Sequence, residues 1–157
     1  MSLDLLTPNL SLNQVQNLVT MQKCSVHDRS EIGETCLHIQ NDPEVVQYLL
    51  EQGANANAKT KMGNTPLHYK KCPEVVKLLL IYGSSPNAVN LYGNTPLHKQ
   101  TDDESVRLLL KFGASRWSKN LLGKNPHEVN VNVPNRTFSP YFILMVLFIV
   151  LIIKYVF

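Results

Sequence analysis

The sequence is poor in the residue patterns that catalytic and metal sites require. Its 157 residues include only three cysteines, Cys24, Cys36 and Cys72, and these follow no metal-binding spacing. We find no constellation of paired carboxylates, of Ser-His or Cys-His, and no phosphate-binding loop. We therefore predict no enzymatic activity, no cofactor and no bound metal. The odd number of cysteines indicates reduced thiols facing a cytosol.

Concentrated charge is also missing. The formal net charge is +3, and the sequence contains no run of five or six like charges. Proteins that bind nucleic acids usually cluster lysine and arginine on one face or in one segment. We therefore predict that nucleic acid is not a partner.

The sequence has instead a repeat with a period of 30 residues. Glycines recur at positions 33, 63, 93 and 123, and a second series lies at 53, 83 and 113. The hexapeptide Gly-Asn-Thr-Pro-Leu-His begins at Gly63 and again at Gly93. Self-similarity at a fixed period of this size predicts a stack of structural repeats, each packed on its neighbours.

One repeat unit reads as two helices and an extended finger. Thr65 is a favoured N-cap residue, and Pro66 occupies the first helical position, where a missing N–H costs nothing. Pro73 ends this short helix and starts a second one, whose apolar residues over 74–80 lie on two adjacent sides. Gly83 is suited to the left-handed cap at the end of that helix. Asp42 and Asp103 are predicted to cap the second helix in their units.

These motifs resemble the ankyrin repeat. The resemblance covers roughly residues 31–129 and includes the hexapeptide twice, Glu-Val-Val-Lys-Leu-Leu-Leu at 74–80 and Gly-Ala-Asn-Ala-Asn-Ala at 53–58. It implies an all-α solenoid that binds proteins. It also implies that three histidines are structural partners of the preceding threonines: His38, His68 and His98.

The period departs from the family's pattern, since ankyrin repeats have about 33 residues. The missing residues fall between the histidine and the Glu-Val-Val run, so the first helix should be about one turn shorter. We therefore expect the fingers, rather than a helix-lined groove, to form the binding surface.

The repeats divide the chain into successive segments. We predict an N-terminal capping half-repeat (1–30), three ankyrin repeats (31–60, 61–90 and 91–120), a degenerate C-terminal cap (121–130), a linker (131–137) and a transmembrane helix (138–157).

The last twenty residues differ in kind from the repeats, because Lys154 is their single charge. Twenty helical residues span about 30 Å, the thickness of the hydrocarbon core of a bilayer. We predict a single transmembrane helix over 138–157. The uninterrupted apolar run covers only 141–153, so a buried packing helix or an interfacial segment are the alternatives.

The position of this segment predicts its topology. It lies at the end of the chain, and residues 1–17 have neither the basic start nor the apolar run of a secretory signal. We therefore predict post-translational insertion as a single-pass C-terminal anchor in a lipid bilayer, with residues 1–137 on the cytosolic side.

A line of apolar residues precedes the first glycine series, at the expected finger tips. We predict that it contacts a partner protein as apolar anchors inside a polar rim. The anchors are Ile32, Met62, Tyr92 and Leu122, and the rim consists of Lys59, Lys61, Asn90, Lys119 and Asn120. The alternative is that the four apolar side chains pack against each other between fingers.

Two functions fit these features. The first is a membrane-tethered module whose repeats bind a cytosolic protein partner. The second is a soluble effector or inhibitor whose hydrophobic tail mediates self-assembly or binds a partner. Only a membrane-spanning helix resists extraction with alkaline carbonate, so that treatment separates the two.

Overall fold

The computed structural model describes residues 6–21 and 25–129. The predicted linker (131–137) and transmembrane helix (138–157) lie outside these residues. All regular structure within the described ranges is helical, without strands. The elements are α1 (Leu12–Thr20), α2 (Cys36–Ile39), α3 (Pro43–Glu51), a 3₁₀ helix η1 (Pro66–His68), α4 (Pro73–Ile81), α5 (Pro96–Lys99), α6 (Asp103–Lys111) and α7 (Pro126–Val129).

The long helices α1, α3, α4 and α6 stack in chain order and hold most of the core. Val45 and Leu49 of α3, and Val75 and Leu79 of α4, have no exposed surface. A helix that packs between two neighbours buries two sides, which explains the nearly continuous apolar runs of these segments. Burial of this apolar surface supplies the main favourable free energy of the stack.

The first helix of each unit has only three or four residues, as the 30-residue period predicts. In α2, η1 and α5, a threonine precedes the helix and a histidine three residues later completes a capping box. His68 Nδ1 accepts the backbone N–H of Thr65 at 3.1 Å and lies 3.0 Å from the Thr65 hydroxyl. The other ring nitrogen, Nε2, donates to the carbonyl of Asn94 in the next unit at 3.0 Å. The predicted threonine–histidine pair is confirmed, and the bond between units is an addition.

The same histidine arrangement occurs in the units before and after. His38 Nδ1 accepts from the Thr35 N–H and its Nε2 donates to Asn64, while His98 repeats both bonds with Thr95 and Lys124. A ring that accepts at Nδ1 has to be neutral. Burial lowers the pKa of all three histidines, that of His38 from 6.5 to about 4.

The ends of the long helices follow the predicted rules with one correction. At the end of α4, the N–H of Ser84 donates to the Leu79 carbonyl and the N–H of Gly83 donates to the Leu80 carbonyl. This pair of hydrogen bonds requires the left-handed conformation of Gly83 (φ 83°). Asp42 caps α3 through its carboxylate, as predicted. The prediction for Asp103 is wrong, because Asp102 caps α6 by accepting from the Ser105 N–H at 2.7 Å and Asp103 is the first helical residue.

The N-terminal helix α1 packs on α3, and its side chains Val15 and Leu18 are buried. At the other end, Asn125 and Glu128 exchange backbone-to-side-chain hydrogen bonds at the start of α7. None of the helices within residues 6–21 and 25–129 has the length and apolar content needed to cross a membrane.

Candidate functional site: the finger tips

Each finger ends in a tight turn that is closed by two backbone hydrogen bonds. In the third finger, the N–H of Asn90 donates to Asn94 at 3.1 Å, and the N–H of Gly93 donates back to Asn90 at 2.9 Å. The same pair of bonds closes the turns over 30–34, 60–64 and 120–124. The four tips therefore share one backbone conformation.

Successive tips are joined by backbone hydrogen bonds. The carbonyls of Ile32, Met62 and Tyr92 each accept an N–H from the following finger, at 3.0 Å in every case. The three donors are Lys61, Leu91 and Leu121. These bonds fix the order and spacing of the tips, so the backbone that carries the exposed side chains is held from one finger to the next.

The glycine at each of the first three tips serves both the turn and the contact with the next finger. Gly93 has a φ of +72°, which favours glycine, and a Cβ atom there would lie 2.9 Å from the backbone nitrogen of Leu121. The two fingers can approach closely only because this side chain is absent.

The four predicted anchor residues are exposed at these tips. The exposed fractions are 58% for Ile32, 42% for Met62, 55% for Tyr92 and 80% for Leu122, and none of them belongs to the core cluster. In the alternative interpretation these four side chains would bury one another between the fingers, but each of them keeps 42% or more of its surface exposed. Whether the anchors bind a partner stays a prediction.

Three further apolar side chains lie on the same surface and were not predicted. Val89, Leu91 and Leu121 are between 50% and 77% exposed. They were missed because only the residue before each glycine was followed from unit to unit. Comparison of Leu91 with its counterpart Lys61 would have found the change from charged to apolar.

The predicted rim divides into two groups. Lys59, Lys61 and Lys119 are exposed, as a rim requires. Asn90 is buried, and its side chain donates to Asn64 Oδ1 at 2.8 Å while its own Oδ1 accepts two backbone N–H groups of its turn. Asn120 repeats these bonds one unit later and is half-buried. The two asparagines therefore hold the fingers together, and we remove them from the rim.

The two cysteines of the described ranges have structural environments. Cys36 is buried, its thiol donates to the carbonyl of Val26 at 3.3 Å, and burial raises its pKa to about 11. Cys72 is at the N-cap of α4 and donates to Glu74. Among residues 6–21 and 25–129, no cluster of three or more His, Cys, Asp or Glu is placed to hold a metal ion.

Comparison with known families gives one match. A family model described as ankyrin repeats (3 copies) matches residues 7–90, which is more than half of the chain. A search of curated proteins yields no match. The unit that follows residue 90 has the same threonine–histidine bonds and the same tip turn as the matched units.

Proposed function

The chain belongs to the ankyrin-repeat family, whose repeats indicate a protein–protein interaction module, and we propose that its finger tips bind a protein partner at a membrane surface. The observation that carries this proposal is the line of exposed apolar side chains on the rigid tips. Soluble proteins rarely expose a contiguous apolar surface unless it binds something.

The rigidity of the tips supports a binding role. Association has to offset the entropy that is lost when loops become ordered, and a surface that is already fixed loses less. The bonds from Leu91 to Met62 and from Leu121 to Tyr92 fix the backbone beneath the anchors before any partner arrives. Large side chains such as Tyr92 and Met62 can then act as anchors at a low entropic cost.

The proposed tether is the apolar segment 138–157, which lies outside the described residues. Its composition supports a membrane-spanning helix, since one charge in twenty residues is what a hydrocarbon core tolerates. In the proposed topology, the repeats face the cytosol.

Partner binding can be tested by exchanging apolar side chains for serine at the tips. Full-length protein fused to a proximity-labelling enzyme should label a set of neighbouring proteins. The variant that carries both Met62→Ser and Tyr92→Ser should lose this labelling. The matched control is Ile81→Ser with Tyr82→Ser at the end of α4, because these two side chains are exposed to a similar extent, 58% and 41%. Equal loss of labelling in both variants would contradict the proposed site.

Alkaline carbonate and protease test the tether. Carbonate-washed membranes should retain the full-length protein, and protease added to sealed vesicles should digest the repeats and leave a small apolar fragment. Release by carbonate would favour the second function, in which the tail mediates assembly or partner binding. Protection of the repeats would contradict the proposed topology.

A further inference from the structure

Charge is distributed unevenly over the finger tips. The tips over 59–64, 89–94 and 119–124 carry four lysines and no carboxylate. All four lysines are exposed: Lys59, Lys61, Lys119 and Lys124. The first finger is different, because it combines Arg29 with Glu31 and Glu34.

The third finger has no charged residue between positions 89 and 94, unlike the fingers on either side of it. Val89, Leu91 and Tyr92 are exposed there by 50%, 63% and 55%. Their finger lies between the two that carry the lysine pairs, and backbone bonds join it to both, from Leu91 to Met62 and from Leu121 to Tyr92. An apolar patch is therefore flanked on both sides by positive charge.

The exposed sides of the long helices α4 and α6 lack this segregation. The exposed side of α6 carries acidic and basic side chains together, and Arg107 pairs with Glu104 at 3.2 Å. On α4, the exposed residues include Glu74 and Lys77. Lysines without a neighbouring carboxylate thus distinguish the second and fourth tips from these two helix surfaces.

We infer that fingers two to four bind a polypeptide segment with an apolar centre and carboxylate side chains on both flanks. This inference rests on the proposed function and specifies the chemistry of the partner. The apolar side chains of the segment would cover Leu91 and Tyr92, while its carboxylates face the lysine pair of each neighbouring finger. Complementary charge at a rim mainly selects the partner and speeds association, and burial of the apolar centre holds the complex.

A polypeptide fits this surface better than nucleic acid or an anionic bilayer. Exposed lysines and exposed apolar side chains lie side by side on these tips, so the ligand has to present acidic and apolar groups close together. A peptide carries both kinds of side chain along one chain. A nucleic acid presents a continuous row of phosphates, and a bilayer separates its charged and apolar layers by depth.

Three synthetic peptides of equal length test this inference against full-length protein in detergent. All have the same apolar centre, and their flanks consist of aspartate, serine or lysine. Fluorescence anisotropy should show that the aspartate peptide binds about tenfold more tightly than the serine peptide and that the lysine peptide binds most weakly. The difference should shrink as salt is added, because the lysines are exposed. Equal binding of the three peptides, or no binding of any, would overturn the inference.

Charge reversal locates the site. Lys59→Glu with Lys61→Glu should abolish the preference for the aspartate peptide over the lysine peptide, because two glutamates then oppose Lys119 and Lys124, whereas Lys77→Glu with Lys111→Glu, on exposed long-helix positions, should leave it unchanged. Replacing Val89 and Leu91 with serine should weaken the binding of all three peptides. An unaltered peptide preference in the Lys59/Lys61 variant would overturn the inference. The inference would also be overturned if that variant lost its binding to phosphatidylserine vesicles but still bound the peptides as wild type does.

The same measurements distinguish failure of this inference from failure of the proposed function. If the Met62→Ser and Tyr92→Ser variant loses its labelled neighbours while the peptides show no acidic preference, the tips bind a protein of different chemistry. If that variant keeps its neighbours, the proposed function itself is wrong.

Discussion

The interior of the stack and its finger tips use the same 30-residue repeat in opposite ways. At the interior position of His38, histidine occurs again in the next two units, and each makes the same two hydrogen bonds. At the tip position of Lys61, the next two units carry Leu91 and Leu121. Interior side chains are fixed by contacts that every unit needs, whereas exposed tip side chains are free to differ. A change of residue type between units therefore indicates where a partner could bind.

One interior position breaks this rule. Lys70 is only 2% exposed, and its counterparts one unit before and after are Gln40 and Gln100. Its ammonium group donates to the carbonyls of His38 and Gln40 and to the side-chain oxygen of Asn41, which are all uncharged acceptors. Burial lowers the pKa of Lys70 from 10.5 to about 8. The interior thus also holds a residue that differs between units.

The largest expected difference between interior and tip concerns leucine. Leu79 has no exposed surface, whereas Leu91 is 63% exposed. Leu79→Ala should lower the free energy of unfolding by roughly 2–5 kcal/mol, because it leaves a cavity. Leu91→Ala should change it by less than about 0.5 kcal/mol. Urea denaturation of the full-length chain, followed by circular dichroism, measures both. Similar losses would mean that the tip leucine is part of the fold.

The two glycine series provide the second comparison. Gly83 and Gly93 both have positive φ, but a Cβ on Gly83 would have no atom of the described residues within 4 Å, whereas one on Gly93 would meet the next finger. Gly83→Ala should cost about 1–2 kcal/mol from backbone strain alone. Gly93→Ala should cost roughly 2–4 kcal/mol, because the next finger also has to move. Equal losses in the same denaturation experiment would show that the close approach is not required.

The features that are local in sequence could be predicted. The threonine cap at Thr65, the helix start at Pro73 and the left-handed Gly83 each depend on a few neighbouring residues, and the structure contains all three. The one error in this class, Asp103 instead of Asp102, arose because two adjacent aspartates are equally suited to cap a helix.

The bonds between units could not be predicted in the same way. They join residues 26 to 34 positions apart, as from Asn90 to Asn64 and from Ser105 to Lys71, and they depend on how the units stack. The asparagines were therefore read as an exposed rim. A pattern did exist, since Ser30, Thr60, Asn90 and Asn120 follow the period, and each offers a side-chain oxygen to the N–H four residues later.

A smaller effect is expected when one of the repeated histidines is replaced. His68→Leu removes the acceptor of the Thr65 N–H and the donor to the Asn94 carbonyl. The buried backbone groups then lack this partner, so the free energy of unfolding should fall by about 1–3 kcal/mol. His27→Leu is the control, because His27 is exposed. If the His68→Leu variant, fused to the proximity-labelling enzyme, still labels the same neighbouring proteins in its folded form, the histidine is structural. Loss of labelling without loss of stability would place it in the binding site.

The same histidines predict acid sensitivity. Burial lowers the pKa of His38 to about 4, and those of His68 and His98 are lowered as well. An unfolded histidine takes up a proton below about pH 6.5, so the unfolded state binds more protons between that pH and the folded pKa. Stability from these groups should be complete above pH 6.5 and fall as the pH decreases towards 4. In denaturation at pH 7.5 and pH 5, the His68→Leu variant should lose less stability between the two values than wild type.

The smallest effect is expected at Lys70. Gln100 donates from its side chain to the Lys70 carbonyl at 2.8 Å, which is the bond that Lys70 makes to Gln40 one unit earlier. Lys70→Gln should therefore keep a bond of this kind while removing a buried charge, and stability at pH 7 should rise by about 1 kcal/mol.

The pH dependence checks the cause of the Lys70 effect. The folded chain releases the Lys70 proton near pH 8 and the unfolded chain near 10.5, so the unfolded state holds more protons between these values. Wild-type stability should gain a contribution as the pH rises through this window, and the Lys70→Gln variant should lack that contribution. Denaturation of both proteins at pH 7 and pH 9.5 measures the difference. A variant that is markedly less stable at pH 7 would show that the bonds of Lys70 to His38 and Asn41 outweigh the cost of burying its charge, and this interior position would then depend on lysine.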